Sequence, residues 1–309
     1  MDNLTHSLVG ALIGQAGLKR KTGLAMPALI IGANLPDIDA ACFFWLEGLE
    51  HLGFRRGITH GPPALVLLPL ILAGLLWGFD RWQAKRGTRP ESRLPVSFKW
   101  LFLLSFIGCL THPALDWLNV YGIRLLEPFS SQWFYGDTLF IIDVWLWALM
   151  GFATWFSLRR EKRGGEWMKP ARVALVVSLA YIGANGAISK LAQLTGPQVS
   201  GFRTIQSPLP LASWHRETLT QKADGQWWIG RDLVGHCSLD PVRQLTLRSS
   251  ELSSELNAFL FWSRAPFAER APDGSVILRD ARFYDPRARD RFSLALPEVK
   301  CEPLDGPSP

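Results

Sequence analysis

Up to about residue 192 the chain repeats apolar, weakly charged runs of roughly 20 residues, the length that crosses a hydrocarbon core. The runs cover 4–18, 24–35, 63–79, the stretch from 100 into 111–118, 139–158 and 173–192. The first is Gly-rich and short for a span, which suits a short or re-entrant helix. The second runs into Pro36, which should end its helix. With 19% charged residues and a mean hydropathy of +0.10, the chain is unlike an ordinary soluble enzyme.

After Gly196-Pro197 the pattern turns mixed, and the domain boundary is expected there. The expected fold is mainly α: a polytopic α-helical membrane domain over 1–196, with a small α+β extracytoplasmic domain over 197–309. In the latter, 226–234, 243–247, 275–283 and 292–296 read as short strands and 251–262 as one amphipathic helix.

Charge divides in the same way. Residues 1–196 hold 19 Lys+Arg against 13 Asp+Glu, and 197–309 hold 14 of each, so the net +6 belongs to the membrane half. Fifteen of those 19 basic residues lie in 19–21, 81–99 and 159–172, and alternating spans put all three loops on one side, the cytoplasmic one. Membrane topology therefore accounts for the basic balance, and no nucleic-acid partner is implied. The N-terminus has neither a basic region nor a small-residue cleavage site, so no removable signal peptide is expected.

The same alternation sends His6, Asp37, Asp39, His60, His112, Asp116 and Asp143 to the opposite, outer ends of their segments. His112 and Asp116, four apart, share one helix face. Ionisable groups at a membrane helix end are costly to desolvate and mark a functional site. Three imidazoles and up to four carboxylates suit one or two divalent ions, zinc first and manganese as the alternative. Such ions acidify water and polarise an ester or phosphoester oxygen. Asp37, His60, His112 and Asp116 are the leading ligands, with His6 next. Asp39 and Asp143 are candidates for general base or for orienting a ligand, and Arg56 for neutralising a phosphate.

Each residue also has a plainer reading. His112 with Asp116 could be an interhelical polar contact. Asp37 or Asp39 could cap a helix. Asp143 could cap its helix or pair with Arg124. Asp2 and His51 read as solvated, and His215 and His236 sit in the soluble part of the chain, away from the other candidates. Cys237 and Cys301 permit one disulfide in an oxidising compartment, a pairing that spacing alone leaves open.

Four blocks, Thr5-His6-Ser7-Leu8-Val9-Gly10, Asn34-Leu35-Pro36-Asp37-Ile38-Asp39, Arg56-Gly57-Ile58-Thr59-His60-Gly61 and Thr111-His112-Pro113-Ala114-Leu115-Asp116-Trp117-Leu118-Asn119-Val120-Tyr121-Gly122, resemble the signature blocks of the YdjM/YbcI-type inner-membrane family. The resemblance covers residues 1 to about 160 and implies a bacterial inner-membrane, metal-dependent hydrolase. The order His, Asp, His, His-x-x-x-Asp is also similar to the zinc-dependent phospholipase C and P1-nuclease group. That likeness implies one ion on Asp37, His60, His112 and Asp116, with Asp116 bridging towards a second near His6. Unlike that group, the chain has no later His-x-x-x-Glu and no processed N-terminal tryptophan, so at most two ions are implied.

The expected activity is hydrolysis of an ester or phosphoester at the outer membrane face, with membrane lipids as partners and a lipid or lipid-linked substrate. The competing class is a transporter or proton- and cation-handling protein using the same His/Asp set. Gathering of the polar groups at one face, with no inverted repeat, weighs against it. A third class is an assembly protein with a closed structural metal, the outer domain being its interaction module.

Overall fold

The computed structural model describes residues 1–196, 202–222, 225–245 and 252–304. Contacts divide the chain into a first unit, Met1–Asp39 with Arg56–Ala187, and a second, Ala40–Arg55 with Ile188–Pro309. The sequence-based boundary lay at Gly196-Pro197, and Pro197 is outside the described residues. Contacts change earlier, within an unbroken helix, where periodicity gives no sign of it.

The first unit is helical. It contains α1 (Asn3–Gln15), α2 (Ala25–Asn34), α4 (Pro62–Lys85), α5 (Phe98–Trp117), α6 (Val144–Lys162) and most of α7 (Met168–Thr195), with the short α3 (His51–Phe54) falling in the second unit. Among the described residues four helical stretches are long and apolar enough to cross a membrane: Ala25–Phe44, Pro62–Lys85, Phe98–Trp117 and Met168–Thr195. Their outward faces carry Leu67, Ile71, Leu75, Val176 and Leu179, as a hydrocarbon solvent requires.

α2 ends at Asn34, just before Pro36, as expected, but the helical path goes on. The chain passes from α2 into a 3-10 helix, Leu35–Phe44, and Pro36 sits in its first turn, where a missing N–H leaves no bond unmade. The 139–158 run is not one helix, because α6 begins only after Asp143 and ends in Arg159, Arg160 and Lys162. Its apolar part is correspondingly shorter, and it is not among the four.

Close approach fixes the centre of this unit. A Cβ on Gly10 of α1 would lie 2.7 Å from the Leu29 carbonyl oxygen of α2, and one on Gly108 of α5 would lie 2.6 Å from the same oxygen. Both helices therefore touch the α2 backbone, as small residues allow in membrane bundles. At one end the three basic loops meet. Lys19 pairs with Glu161, Arg172 Nε donates to the Ala16 carbonyl at 2.9 Å, and Ser97 N donates to Thr22 Oγ1 at 2.8 Å.

The second unit holds an antiparallel sheet in the order β1 (Arg203–Leu209), β2 (Ala212–Gln221), β3 (Trp227–Ile229), β4 (Asp232–Val234). A second sheet contains β5 (Pro266–Arg270), β6 (Ser275–Asp280) and β7 (Ser293–Lys300), and α8 (Asp240–Leu245) and α9 (Leu252–Trp262) complete the unit. The fold class expected from sequence is the one observed.

Details of that unit differ. The expected strand 226–234 is a hairpin, turned at Gly230 with φ 59°. Residues 243–245 are helical, with 246–247 outside the described residues, as is Glu251 at the expected start of α9. The strand expected over 275–283 stops at Asp280, where a 3-10 turn, Ala281–Phe283, takes over. β1 and β2 went unread because β2 buries few of its residues, which blurs the two-residue period.

Cys237 and Cys301 form a disulfide across 64 residues of sequence. Closing a loop of that length stabilises by about 4 kcal/mol in the chain-entropy account. The paired substitution Cys237→Ser/Cys301→Ser is expected to lower the stability of the second unit by about that free energy, read as a fall in its urea midpoint by peptide-resolved hydrogen exchange.

Candidate metal centre

The centre is built at the helix ends opposite the basic loops. α1 delivers His6 from its first turn, α5 delivers His112 and Asp116 from its last two turns, and the 3-10 helix after α2 delivers Asp37. A single 3-10 turn, Ile58–His60, delivers His60. The six-residue approach of α1 is fixed by Asp2, whose carboxylate caps the helix through Leu4 N at 3.0 Å and Thr5 N at 3.1 Å. Trp147 Nε1 donates to the same carboxylate at 3.2 Å. Asp2 is thus engaged rather than solvated.

Asp116 is the hub. His6 Nε2 lies 3.4 Å from its Oδ1, and His112 Nε2 and His60 Nε2 lie 3.4 and 3.6 Å from its Oδ2. Asp37 Oδ1 is 3.8 Å from His112 Nε2. The His6 and His112 rings stack with centroids 3.8 Å apart. His6, Asp37 and His112 form one group able to hold an ion, and His60, His112 and Asp116 another.

Whether these residues fit a metal is decided by their unsatisfied atoms. His6 Nδ1 and Nε2, His60 Nε2, His112 Nε2 and Asp116 Oδ2 are buried without a hydrogen-bond partner. Each such atom costs about 1–3 kcal/mol if it stays unpaired. Separations of 3.4–3.6 Å leave these atoms without hydrogen bonds and match the edge of a tetrahedron, about 3.4 Å for donors 2.1 Å from a zinc ion. The donors fit.

The outer contacts point each imidazole. His112 Nδ1 lies 2.7 Å from the Ala33 carbonyl oxygen, so it carries the proton and Nε2 keeps its lone pair for the centre. His60 Nδ1 lies 3.0 Å from Thr59 Oγ1, which in turn donates to Asp39 Oδ2 at 3.3 Å. Asp39 also accepts from Arg56 N at 2.7 Å. It stands behind His60, where it orients the ring.

Arg56 is buried and held from several sides. Its Nη1 donates to Asn119 Oδ1 and to the Gly122 carbonyl, both at 3.1 Å, and its Nη2 is 3.2 Å from Asp116 Oδ1. The guanidinium lies 4.4 Å from the Tyr121 ring centroid, and the residue adopts a left-handed φ of 56°. Strained backbone of this kind persists where its surroundings enforce it.

Asp143 is not brought to the centre. Its carboxylate caps α6 through Trp145 N and Leu146 N and accepts from Tyr181 Oη at 2.9 Å. The helix it caps carries the Trp147 that donates to Asp2. His51 is absent as well, its Nδ1 lying 2.9 Å from the Gly48 carbonyl.

Sequence reasoning missed Met1. Its α-amine contacts Asp116 Oδ1, and its carbonyl accepts from Arg56 Nη2 at 3.4 Å. Asn119 and Tyr121 were quoted within a motif without a role. The i, i+2 turn in which Asn119 Oδ1 accepts from Tyr121 N at 2.8 Å is the signal that could have singled Asn119 out.

Comparison with known proteins agrees with the four blocks. The protein is 26% identical over 314 residues to "Uncharacterized protein YfhP" of Bacillus subtilis (strain 168), an alignment covering 94% of this chain and 88% of that protein, and so extending over both units. No solved structure matches. A family model described as YdjM inner membrane protein matches residues 1–192 and so takes in every residue of the centre; the chain, a membrane protein, belongs to that family.

Proposed function

We propose that the protein is a membrane-bound, metal-dependent hydrolase that cleaves an ester bond, more specifically a phosphoester, in a lipid or lipid-linked substrate at the outer membrane face. The observation that carries this reading is the convergence of orphaned donors from His6, His60 and His112 on the Asp116 carboxylate. The donor set favours zinc, which supplies Lewis acidity for an ester oxygen and for the attacking water.

The chain's own residues do the rest. Asp37, with 8% of its side chain exposed against none for Asp116, is the more accessible carboxylate and accepts the proton of the attacking water. Water oxygen bonds to the phosphorus or acyl carbon, and the alcohol leaves with a proton. Arg56 adds fixed positive charge beside Asp116 and offsets the negative charge of a phosphate. Asp39 and Thr59 keep the His60 ring from turning.

The orientation also has support. Basic loops meeting at the far end of the unit fit a cytoplasmic side there. The Cys237 to Cys301 disulfide fits a second unit outside the cytoplasm.

The test is turnover by purified protein loaded with zinc or manganese. Phospholipids in mixed micelles and a water-soluble nitrophenyl phosphodiester are the substrates. Metal-dependent release that His60→Ala reduces by at least about a hundredfold is expected, on the scale of losing a group from a catalytic metal site. Equal turnover by wild type and His60→Ala, or none by the loaded protein on either substrate, would overturn the assignment.

A further inference from the structure

An apolar cavity of about 340 Å³ lies between α1, α5, α6 and α7. Val9, Leu118, Met150 and Leu175 are among its walls, and no aromatic ring lines it. Three wall residues, Thr5, Thr111 and Leu115, directly precede His6, His112 and Asp116 in sequence, so one side of the cavity shares its backbone with the centre. Another wall residue, Leu179, is 67% exposed on α7, one of the four helices long and apolar enough to cross a membrane, so the cavity opens on a lipid-compatible face.

Three hydroxyl residues interrupt the lining; Thr5 Oγ1 donates to Asp2 and Thr111 Oγ1 to the Gly108 carbonyl, whereas Ser178 has no such bond. Ser178 is 6% exposed, and its Oγ has no hydrogen-bond partner. A hydroxyl buried in hydrocarbon ordinarily bonds to a carbonyl of its own helix or to a neighbour. Its free state in a cavity wall suits a ligand that brings an acceptor oxygen into an otherwise aliphatic space.

Resting on the hydrolase reading for what happens at the head, we propose that this cavity seats one acyl chain of a glycerophospholipid substrate, with Ser178 donating to the ester oxygen of that chain. The occupant enters from the hydrocarbon, must be flexible and aliphatic to match walls without aromatic rings, and must carry an ester acceptor, which an acyl chain does and a polyprenyl chain does not. The cavity thereby selects lipids over water-soluble esters and orients the scissile bond towards Asp116.

The experiment is photo-crosslinking of the full chain in vesicles of phosphatidylethanolamine and phosphatidylglycerol doped with a phosphatidylglycerol that carries a diazirine within one acyl chain. Label is expected on Leu118, Met150 and Leu175 above the level on Leu75, a lipid-facing residue of α4. Filling the cavity with Ser178→Phe or Leu175→Trp should lower that cavity label about tenfold. Metal content in both variants should stay at the wild-type value, which shows that the unit is folded. Label spread evenly over Leu75 and the cavity, label insensitive to both variants, or label displaced by a polyprenyl phosphate but not by unlabelled phospholipid would each overturn the proposal.

The two readings fail separately. Cavity label without phosphoester turnover keeps the cavity and removes the hydrolase. Turnover without cavity label does the reverse.

Discussion

Asp116→Asn is expected to abolish metal binding by the His/Asp cluster. Asp116 is the one residue that His6, His60 and His112 all approach, at 3.4, 3.6 and 3.4 Å, so losing its charge removes both a donor and the field that gathers the others. The expected drop in affinity exceeds the roughly 10–100-fold that follows loss of an outer hydrogen-bond partner. Asp39→Asn supplies that milder comparison, because Asp39 acts on the centre through Thr59, His60 and the Arg56 backbone N–H rather than as a donor to the ion. Elemental analysis of detergent-purified protein, after incubation with zinc and gel filtration, reads both. The Asn variant also leaves Arg56 and the Met1 amine without their carboxylate, and breaking a buried pair costs about 3–5 kcal/mol. His112→Gln is therefore run beside it, since it removes a donor without stranding a cation. Metal retained at the wild-type ratio by both Asp116→Asn and His112→Gln would show that the cluster is not a metal centre.

The parts of this centre that could be read beforehand are those where one element carries the whole signal. His112 and Asp116 sit on one helix at a spacing that faces both inward, and Pro36 followed by two aspartates marks a change of helix type. Contacts made by folding back over the centre left no such trace. The Met1 amine reaches Asp116 across 115 residues, and Arg56 is held by a loop 63 to 66 residues later in the chain. Asp143 read both as a candidate for the centre and as a helix cap, and the cap is what the structure shows. Its apolar neighbours on both sides read as a single run, whereas the carboxylate itself starts the helix by taking up the first backbone N–H groups. In the second unit, short strands and a mostly polar β2 gave the period too few turns to register, while α9, with Leu256, Phe259 and Trp262 fully buried on one face, gave enough.

Asp280 should prove the most sensitive single position in the second unit. Its carboxylate accepts from Arg282 Nε and Nη2, both at 2.8 Å, from Ser263 Oγ at 2.6 Å, and from the backbone N–H groups of Arg282, Arg264 and Ala265 at 2.9, 3.0 and 3.2 Å. Together these bonds tie the end of β6 to the end of α9. Burial alone would raise the Asp280 carboxyl, but the Arg282 charge and these hydrogen bonds outweigh it and hold the group below the usual carboxylate range. Removing the carboxylate in Asp280→Ala strands a buried guanidinium, for a loss of about 3–5 kcal/mol. A urea series read by hydrogen-exchange labelling of β5 and β6 at fixed labelling pH measures it. The pH dependence has a definite sign. Because the folded value lies below the unfolded one, near about 3.9, the stabilisation is complete above that pH and disappears as pH falls through the folded value. The gap between wild type and Asp280→Asn should therefore be constant from neutral pH down to about 4 and narrow below it. A gap that stays constant below about 4 as well would mean that Asp280 titrates like an exposed carboxylate, and that the Arg282 pair does not hold the two elements together.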